Sequence, residues 1–204
     1  MTDYSDLPSM LADLSTCRAC AEAGYDIYST PIVAGQQAAR LMVVGQAPSG
    51  ADAQSNIPFT GEAGSRLFDW LKRAGWDDEE SFRQTAYITS VTKCFPGEKE
   101  NGSGDRQASA KERKLCRKWL DAEIALVRPE VIVPVGSLAV KLFYPPQLQL
   151  ADVIGESMID AQGRHIVPLP HPSGASRWLN NPHNVGRLEQ ALYRLRTLKA
   201  DLGL

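Results

Sequence analysis

Three groups of residues carry side chains that can do chemistry. The first is His171, in the run "HPSG" that follows the apolar stretch Ile166–Leu169. An imidazole mounted at the end of a buried strand, with a turn of small residues behind it, is a rigid hydrogen-bonding group that a large ligand can approach. The same placement also suits a histidine satisfied within the core. The second group is Cys17, Cys20, Cys94 and Cys116. Cys17 and Cys20 form a CxxC pair, and 21 residues separate the other two. Four thiolates can hold zinc or a [4Fe–4S] cluster. Zinc ribbons usually show two CxxC knuckles and this chain shows one, so the spacing leaves zinc, an iron–sulfur cluster and unrelated thiols all open. The third group comprises the polar and turn-forming runs "GQAPSG" (45–50), "TKCFPG" (92–97) and "GS" (136–137).

Each of these runs follows a short apolar segment. Leu41–Val44, Ala86–Val91, Val131–Val135 and Ile166–Leu169 are almost continuously apolar, as strands covered on both faces are. Between them, Leu67, Phe68, Leu71 and Ala74 recur at helical spacing before Gly75, and Leu115, Trp119, Ile124 and Val127 do so before Pro129. Val185, Leu188, Leu192, Leu195 and Leu198 mark a last helix, and Leu11 and Leu14 an N-terminal one. Strands alternating with helices predict an α/β fold, a three-layer α/β/α sandwich around a central four-stranded, mostly parallel sheet. In such sheets the ligand site lies beyond the carboxyl ends of the strands, where these runs gather. A single domain over residues 1–204 is expected, with the polar segment 97–110, "GEKENGSGDRQASA", as a flexible loop.

The chain has 204 residues, 43% hydrophobic and 23% charged, which are ordinary globular values. No apolar run of about 18 residues is present, so no membrane span is expected. The N-terminus "MTDYSDLPSM" lacks the basic and apolar regions of a signal peptide, and a cytoplasmic location with reduced thiols is the expectation. Net charge is −2, but it is unevenly spread: residues 93–118 hold eight bases against four acids. A local positive field of this kind can attract phosphates, although a solvated helix face beside a loop gives the same pattern.

Taken together and in order, "GQAPSG", "IPFTGEAGSRLFDWL", "ITSVTKCFPG", "VRPEVIVPVGSLA" and "HPSG" resemble the uracil-DNA glycosylase superfamily. The closest likeness is to its iron–sulfur branches, families four and five, over roughly residues 10–195. The resemblance implies an enzyme of base excision repair. It would flip uracil out of DNA and hydrolyse its N-glycosidic bond, leaving an abasic site. It implies that Cys17, Cys20, Cys94 and Cys116 hold a [4Fe–4S] cluster, that the partner is DNA containing uracil or another deaminated base, and that the chain acts as a monomer. The alternative is a protein of the same fold that binds damaged DNA with weak or no excision, or that retains or covalently traps the abasic product.

The resemblance also assigns roles. His171 would donate a hydrogen bond to uracil O2 as charge develops there, and Phe59 would stack on the flipped base. Gln46 and Ala47 would line the floor. Family four carries a glutamate where this chain has Gln46, which can hold a water but cannot take its proton. Family five uses an acid just after "PFTG", so Glu62 is expected to position or activate the water, with Asp52 second. Many relatives have asparagine where this chain has Ser90; a hydroxyl reads the base edge less strictly, which opens the pocket to other deaminated bases. The turns Pro48, Ser49, Gly50 and Ser173, Gly174 would approach phosphates through backbone N–H groups. Arg177 or Trp178 would wedge into the vacated stack.

Overall fold

Residues Leu41 to Val44 are all buried, yet they serve two cores. Leu41 and Val43 pack into one hydrophobic cluster, Met42 and Val44 into another. Val131 and Val133 likewise oppose Ile132, and Ile88 opposes Tyr87. Successive side chains of a strand point to opposite faces, so a continuous apolar run marks a sheet covered on both sides.

The computed structural model describes residues 4–174 and 177–204. In chain order the elements are α1 (Leu7–Ser15), α2 (Ala19–Glu22), β1 (Leu41–Gly45), α3 (Gly50–Ser55), α4 (Glu62–Arg73), α5 (Glu79–Thr85) and β2 (Ala86–Ser90). There follow α6 (Ala110–Val127), β3 (Val131–Pro134), α7 (Ser137–Val140), α8 (Leu150–Val153), β4 (Met158–Ile159), β5 (His165–Ile166), a 3-10 turn (Arg177–Asn180) and α9 (Pro182–Leu202). The sheet order is β2-β1-β3-β5-β4. The first three junctions are parallel and β4 pairs antiparallel to β5. On one face, Leu67, Phe68 and Leu71 of α4, Phe82 of α5 and Leu188, Leu192 and Leu195 of α9 cover the sheet. On the other lie Leu7, Met10 and Leu14 of α1 with Trp119, Leu120 and Val127 of α6. This is the α/β/α sandwich expected from the sequence.

Local signals set the helix ends. The Asp6 carboxylate caps α1 by accepting the Ser9 N–H at 2.8 Å. Ser109 and Glu112 form a capping box at the start of α6, which ends with Arg128 in the left-handed region just before Pro129.

Two expectations need correction. The sheet has five strands among the described residues, not four. The extra strand, β4, is a two-residue edge whose Ile159 is exposed, so it carries no apolar run to read. The last of the four expected strands is also broken. Regular pairing covers His165–Ile166 and resumes as a parallel bridge from Leu169 to Val135; the Val167 and Leu169 N–H groups still donate to the Ile132 and Pro134 carbonyls at 3.0 and 2.9 Å, but Pro134 on β3 has no N–H to give in return.

Second, the segment expected as a flexible loop is a small hairpin. Glu98 and Asp105 form an antiparallel bridge, and the Lys99 and Arg106 N–H groups donate to the Gly104 and Gly97 carbonyls, each at 2.9 Å. Gly102 and Gly104 supply the positive φ values the turn needs. Arg106 ties the hairpin to α6 by a bidentate pair with the buried carboxylate of Glu112, at 2.9 and 2.8 Å. Composition alone reads such a hairpin as loop, because its closure depends on a tertiary ion pair. No helix among the described residues is long and apolar enough to cross a membrane.

Candidate active site and thiol cavity

A cavity of about 620 Å³ opens beyond the carboxyl ends of β1 and β3. Its walls come from five segments: Gly45–Asp52, Phe59–Gly64, the 98–106 hairpin, Val135, and His171–Gly174. The parallel strands aim their ends at one rim and the intervening loops close around it. Of the expected residues, Gln46, Ala47, Pro48, Ser49, Gly50, Asp52, Phe59, Glu62, His171, Ser173 and Gly174 all line this cavity.

His171 is half-buried. The Ser173 N–H donates to its Nδ1 over 3.2 Å, and the Ser173 hydroxyl lies 2.9 Å from the same atom. A backbone N–H can only donate, so Nδ1 accepts and the ring proton of the neutral imidazole sits on Nε2. Burial holds the imidazole below its ordinary pKa, which favours that neutral form. Gly136, at φ 83°, packs against the ring: a Cβ there would stand 3.0 Å from His171 Cδ2. Ser173, expected at a phosphate, is thus engaged in orienting the imidazole.

Phe59 adopts a left-handed backbone, φ 59°. Bulky residues rarely do so. Its ring lies over Gly45, where a Cβ would meet Phe59 Cζ at 2.8 Å and the Ser90 hydroxyl at 3.2 Å. Ser90 is the register partner of Gly45 and is buried; it stands behind the cavity wall rather than lining it.

The expected acids differ in how free they are. Glu62 opens α4 and is exposed at the cavity. Asp52 is buried and committed: one oxygen accepts the Ser49 N–H at 2.8 Å, the other the Thr60 N–H at 2.8 Å and hydroxyl at 3.0 Å. Ser49 and Asp52 form a capping box at α3, so the Ser49 N–H expected at a phosphate is already spent. Gln46 Oε1 accepts from Gln107 Nε2 at 3.3 Å. Arg177 is exposed, and Trp178 packs against the core on one side of the sheet. Residues 175 and 176, just before them, lie outside the described residues.

Sequence reasoning missed several wall residues. The hairpin contributes Glu98, Lys99, Asp105 and Arg106. Burial and the neighbouring Glu98 push the Asp105 carboxyl above its usual range. Arg66 reaches towards Gly174, whose Cβ would stand 3.9 Å from its Nη2. The helical position of Arg66 in "GSRLF", one turn into α4, was the only available signal.

All four cysteines line a second cavity, of about 390 Å³, between α1, α2, α6 and the turn after β2. It is walled by apolar residues including Leu14, Ile27, Pro31, Leu115 and Trp119. Trp119 Nε1–H donates to Cys17 Sγ and the Lys93 N–H to Cys116 Sγ, each at 3.3 Å. Burial, compounded by the neighbouring thiols, pushes Cys94 up to about 12, and burial pushes Cys116 up to about 11. The Thr92 hydroxyl, buried in this wall, has no hydrogen-bond partner among the described residues. No three Cys, His, Asp or Glu side chains among the described residues form a set able to hold a metal ion as they stand.

Beneath this cavity lies a buried polar network. Lys93 and Glu123 are 1% and 0% exposed at their side chains and pair at 2.7 Å. Lys93 Nζ also donates to Thr89 Oγ1 at 2.7 Å and to the Ser90 carbonyl at 2.6 Å, while Glu123 accepts from Tyr87 and Thr89.

The site is a parallel-sheet pocket lined by the His171 imidazole, whose Nδ1 accepts from Ser173, and by Phe59, whose ring lies over Gly45. The chain belongs to the uracil DNA glycosylase superfamily, whose family model matches residues 32–195. It is 27% identical to a type-4 uracil-DNA glycosylase of Thermotoga maritima over 157 residues, 76% of each chain. A type-4 uracil-DNA glycosylase of Sulfurisphaera tokodaii is 26% identical over 94% of this chain and 84% of the relative. A type-5 uracil-DNA glycosylase of Pyrobaculum aerophilum is 32% identical over 83% of this chain and 75% of the relative.

Proposed function

We propose that this chain is a uracil-DNA glycosylase of DNA repair, a hydrolase that excises uracil through the pocket built around His171 and Phe59. The observation that carries the reading is the Ser173 N–H bond to His171 Nδ1, which leaves the ring proton on Nε2 of an imidazole that lines the same cavity as Phe59.

Breaking the glycosidic bond places positive character on the sugar and negative charge on the departing base. The His171 Nε2–H stabilises that charge at the uracil O2, and a donor of this kind fixed in a water-poor site is worth about 10²–10³ in rate. Flipping the nucleotide costs a few kcal/mol. Stacking on Phe59, about 1–3 kcal/mol, offsets part of this. Arg66 beside Gly174, with the Gly174 turn, supports phosphate contacts that supply the rest. Arg177, which is exposed while Trp178 packs on the core, fills the vacated stack. Glu62 positions the attacking water, because the Asp52 oxygens are already taken and Gln46 cannot accept a proton. Asp52 acts by fixing Thr60 beside Phe59. Ser90 stands behind the wall, so the base edge is left to backbone groups of the pocket, which supports acceptance of other deaminated bases.

The thiol cavity fits a [4Fe–4S] cluster. Its four cysteines, two N–H···S bonds and unpartnered Thr92 hydroxyl form a donor set for a sulfur-rich group in apolar surroundings. Cys17, Cys20, Cys94 and Cys116 would hold it, and when bound it supplies a covalent cross-link between the N-terminal helices, the turn after β2 and α6. The same reading takes the enzyme as monomeric and places it in the cytoplasm, where unligated thiols stay reduced.

The test is a strand-cleavage assay over single strands carrying uracil, hypoxanthine or xanthine, with His171→Ala beside the wild type. Alkali-labile sites at uracil, lost in the variant, are expected. Intact strands with retained binding would instead make the chain a damage binder, and product held by the protein in a denaturing gel would indicate trapping.

A further inference from the structure

Phe59 is held in its left-handed conformation by something, because an unsupported phenylalanine relaxes out of that region. The support comes from Arg83 on α5, which does not line the cavity. Its Nη1 donates to the Pro58 carbonyl at 2.8 Å and its Nη2 to the Phe59 carbonyl at 3.0 Å. Its Nε donates to Glu79 Oε1 at 2.8 Å, and the guanidinium plane sits 4.5 Å above the Phe68 ring. The fork is therefore fixed on three sides and mostly buried. Only a planar guanidinium can reach two successive carbonyls while stacking on a ring.

Two glycines complete the cradle. A Cβ on Gly64 would overlap the Phe59 carbonyl, and one on Gly45 would stand 2.8 Å from the ring tip. Asp52 fixes Thr60 on the far side of Phe59. The helix carrying Arg83 also runs without a break into β2, which ends at Ser90. The element that fixes the Phe59 backbone is thus continuous with the strand that carries Ser90 to the Phe59 ring.

We propose that Arg83 is a positioning residue for base recognition: it sets the aromatic platform before substrate arrives by clamping the Pro58 and Phe59 carbonyls. The inference rests on the reading of Phe59 as the stacking face. Pre-organisation of this kind acts on binding of the base, not on cleavage of the bond. Without the clamp, the Phe59 backbone leaves the left-handed region and the ring tilts away from Gly45.

The experiment compares wild type, Arg83→Met, Arg83→Lys, Phe59→Leu and the double variant Arg83→Met/Phe59→Leu. The readouts are KM and kcat on a uracil-containing single strand and inhibition by free uracil, with circular dichroism to confirm folding. Arg83→Met raises KM and the uracil inhibition constant about ten-fold while kcat changes less than about three-fold. Arg83→Lys keeps the charge over Phe68 but bridges at most one carbonyl, and raises both constants by about three-fold or more. The double variant is no worse than Phe59→Leu alone, because both changes remove the same platform. Wild-type inhibition constants in folded Arg83→Lys or Arg83→Met, alongside a loss in Phe59→Leu, would overturn the clamp and leave the stacking reading intact. A neutral Phe59→Leu would instead overturn the stacking reading, and with it the basis for the clamp.

Discussion

The Ser173 N–H and His171 Nδ1 are joined by a 3.2 Å bond within a turn of three residues. A main-chain group cannot switch from donor to acceptor, so the turn itself fixes which nitrogen carries the proton. The orientation of the imidazole therefore needs no partner carboxylate.

The pH dependence follows from that geometry. Burial lowers the folded pKa of His171 beneath the ordinary imidazole value of 6.5, so the neutral ring persists as pH falls through that value. Single-turnover rates on a uracil strand should hold steady at pH 6.5 and decline only on acidification through the depressed pKa, where Nδ1 takes a proton and the Ser173 contact is lost. His171→Ala should cost about 10²–10³ in rate and remove this acid limb. A limb centred above 6.5 would contradict the neutral-donor assignment.

Gly136 is the backstop of the imidazole. Gly136→Ala would place a methyl 3.0 Å from His171 Cδ2 at a φ of 83°, where alanine is strained as well. The ring must shift by a few tenths of an ångström, and kcat should fall by about ten-fold or more while inhibition by free uracil weakens little. Equal losses in the two measurements would mean that the change disturbs the whole pocket.

Removal of Lys93 leaves the Glu123 carboxylate buried with only the Tyr87 and Thr89 hydroxyls. Breaking one side of a buried pair costs about 3–5 kcal/mol, so Lys93→Met should lower the denaturant midpoint strongly. The double variant Lys93→Met/Glu123→Gln should recover most of that loss. Equilibrium unfolding in urea reads both; a double variant as unstable as the single would show that Lys93 matters for another reason.

Cys17→Ala tests the thiol cavity. Cys17 joins the segment after α1 to Trp119 on α6 through the Nε1–H···Sγ bond. The variant should retain less iron and sulfide, unfold at lower temperature and bind DNA more weakly, while single-turnover cleavage at saturating protein stays within about three-fold of wild type. A large loss in that rate with full iron content would place Cys17 in the chemistry.

Strands were legible where an apolar run was continuous, and helices where a period was. Leu41–Val44 and Val131–Val135 announce themselves because both faces of the sheet are covered, and α4 because Leu67, Phe68 and Leu71 recur on one face. β4 was not, since two residues at an edge carry no period. Among the residues that line the cavity, those grouped at strand ends could be read from the sequence, because in a parallel sheet adjacency at the rim follows from topology. What the sequence hid was the division of labour within that group. Ser49 and Asp52 stand three apart before a short helix, a capping signal that can be read, yet only the fold shows that the cap consumes their donors and acceptors. Arg83 left no trace, because its work is done on carbonyls that every residue possesses.

The cavity draws its walls from segments beginning at Gly45, Phe59, Glu98, Val135 and His171, spread across most of the chain and brought together by parallel pairing. Residues 45–64 supply 14 of its 24 lining residues, but His171 stands 112 positions after Phe59, so no short fragment holds both and the site has no complete local precursor during folding. Such non-local assembly is slow to nucleate and all-or-none once formed. Recovery of glycosylase activity on refolding should therefore report completion of the whole sheet, with no partially competent species ahead of it.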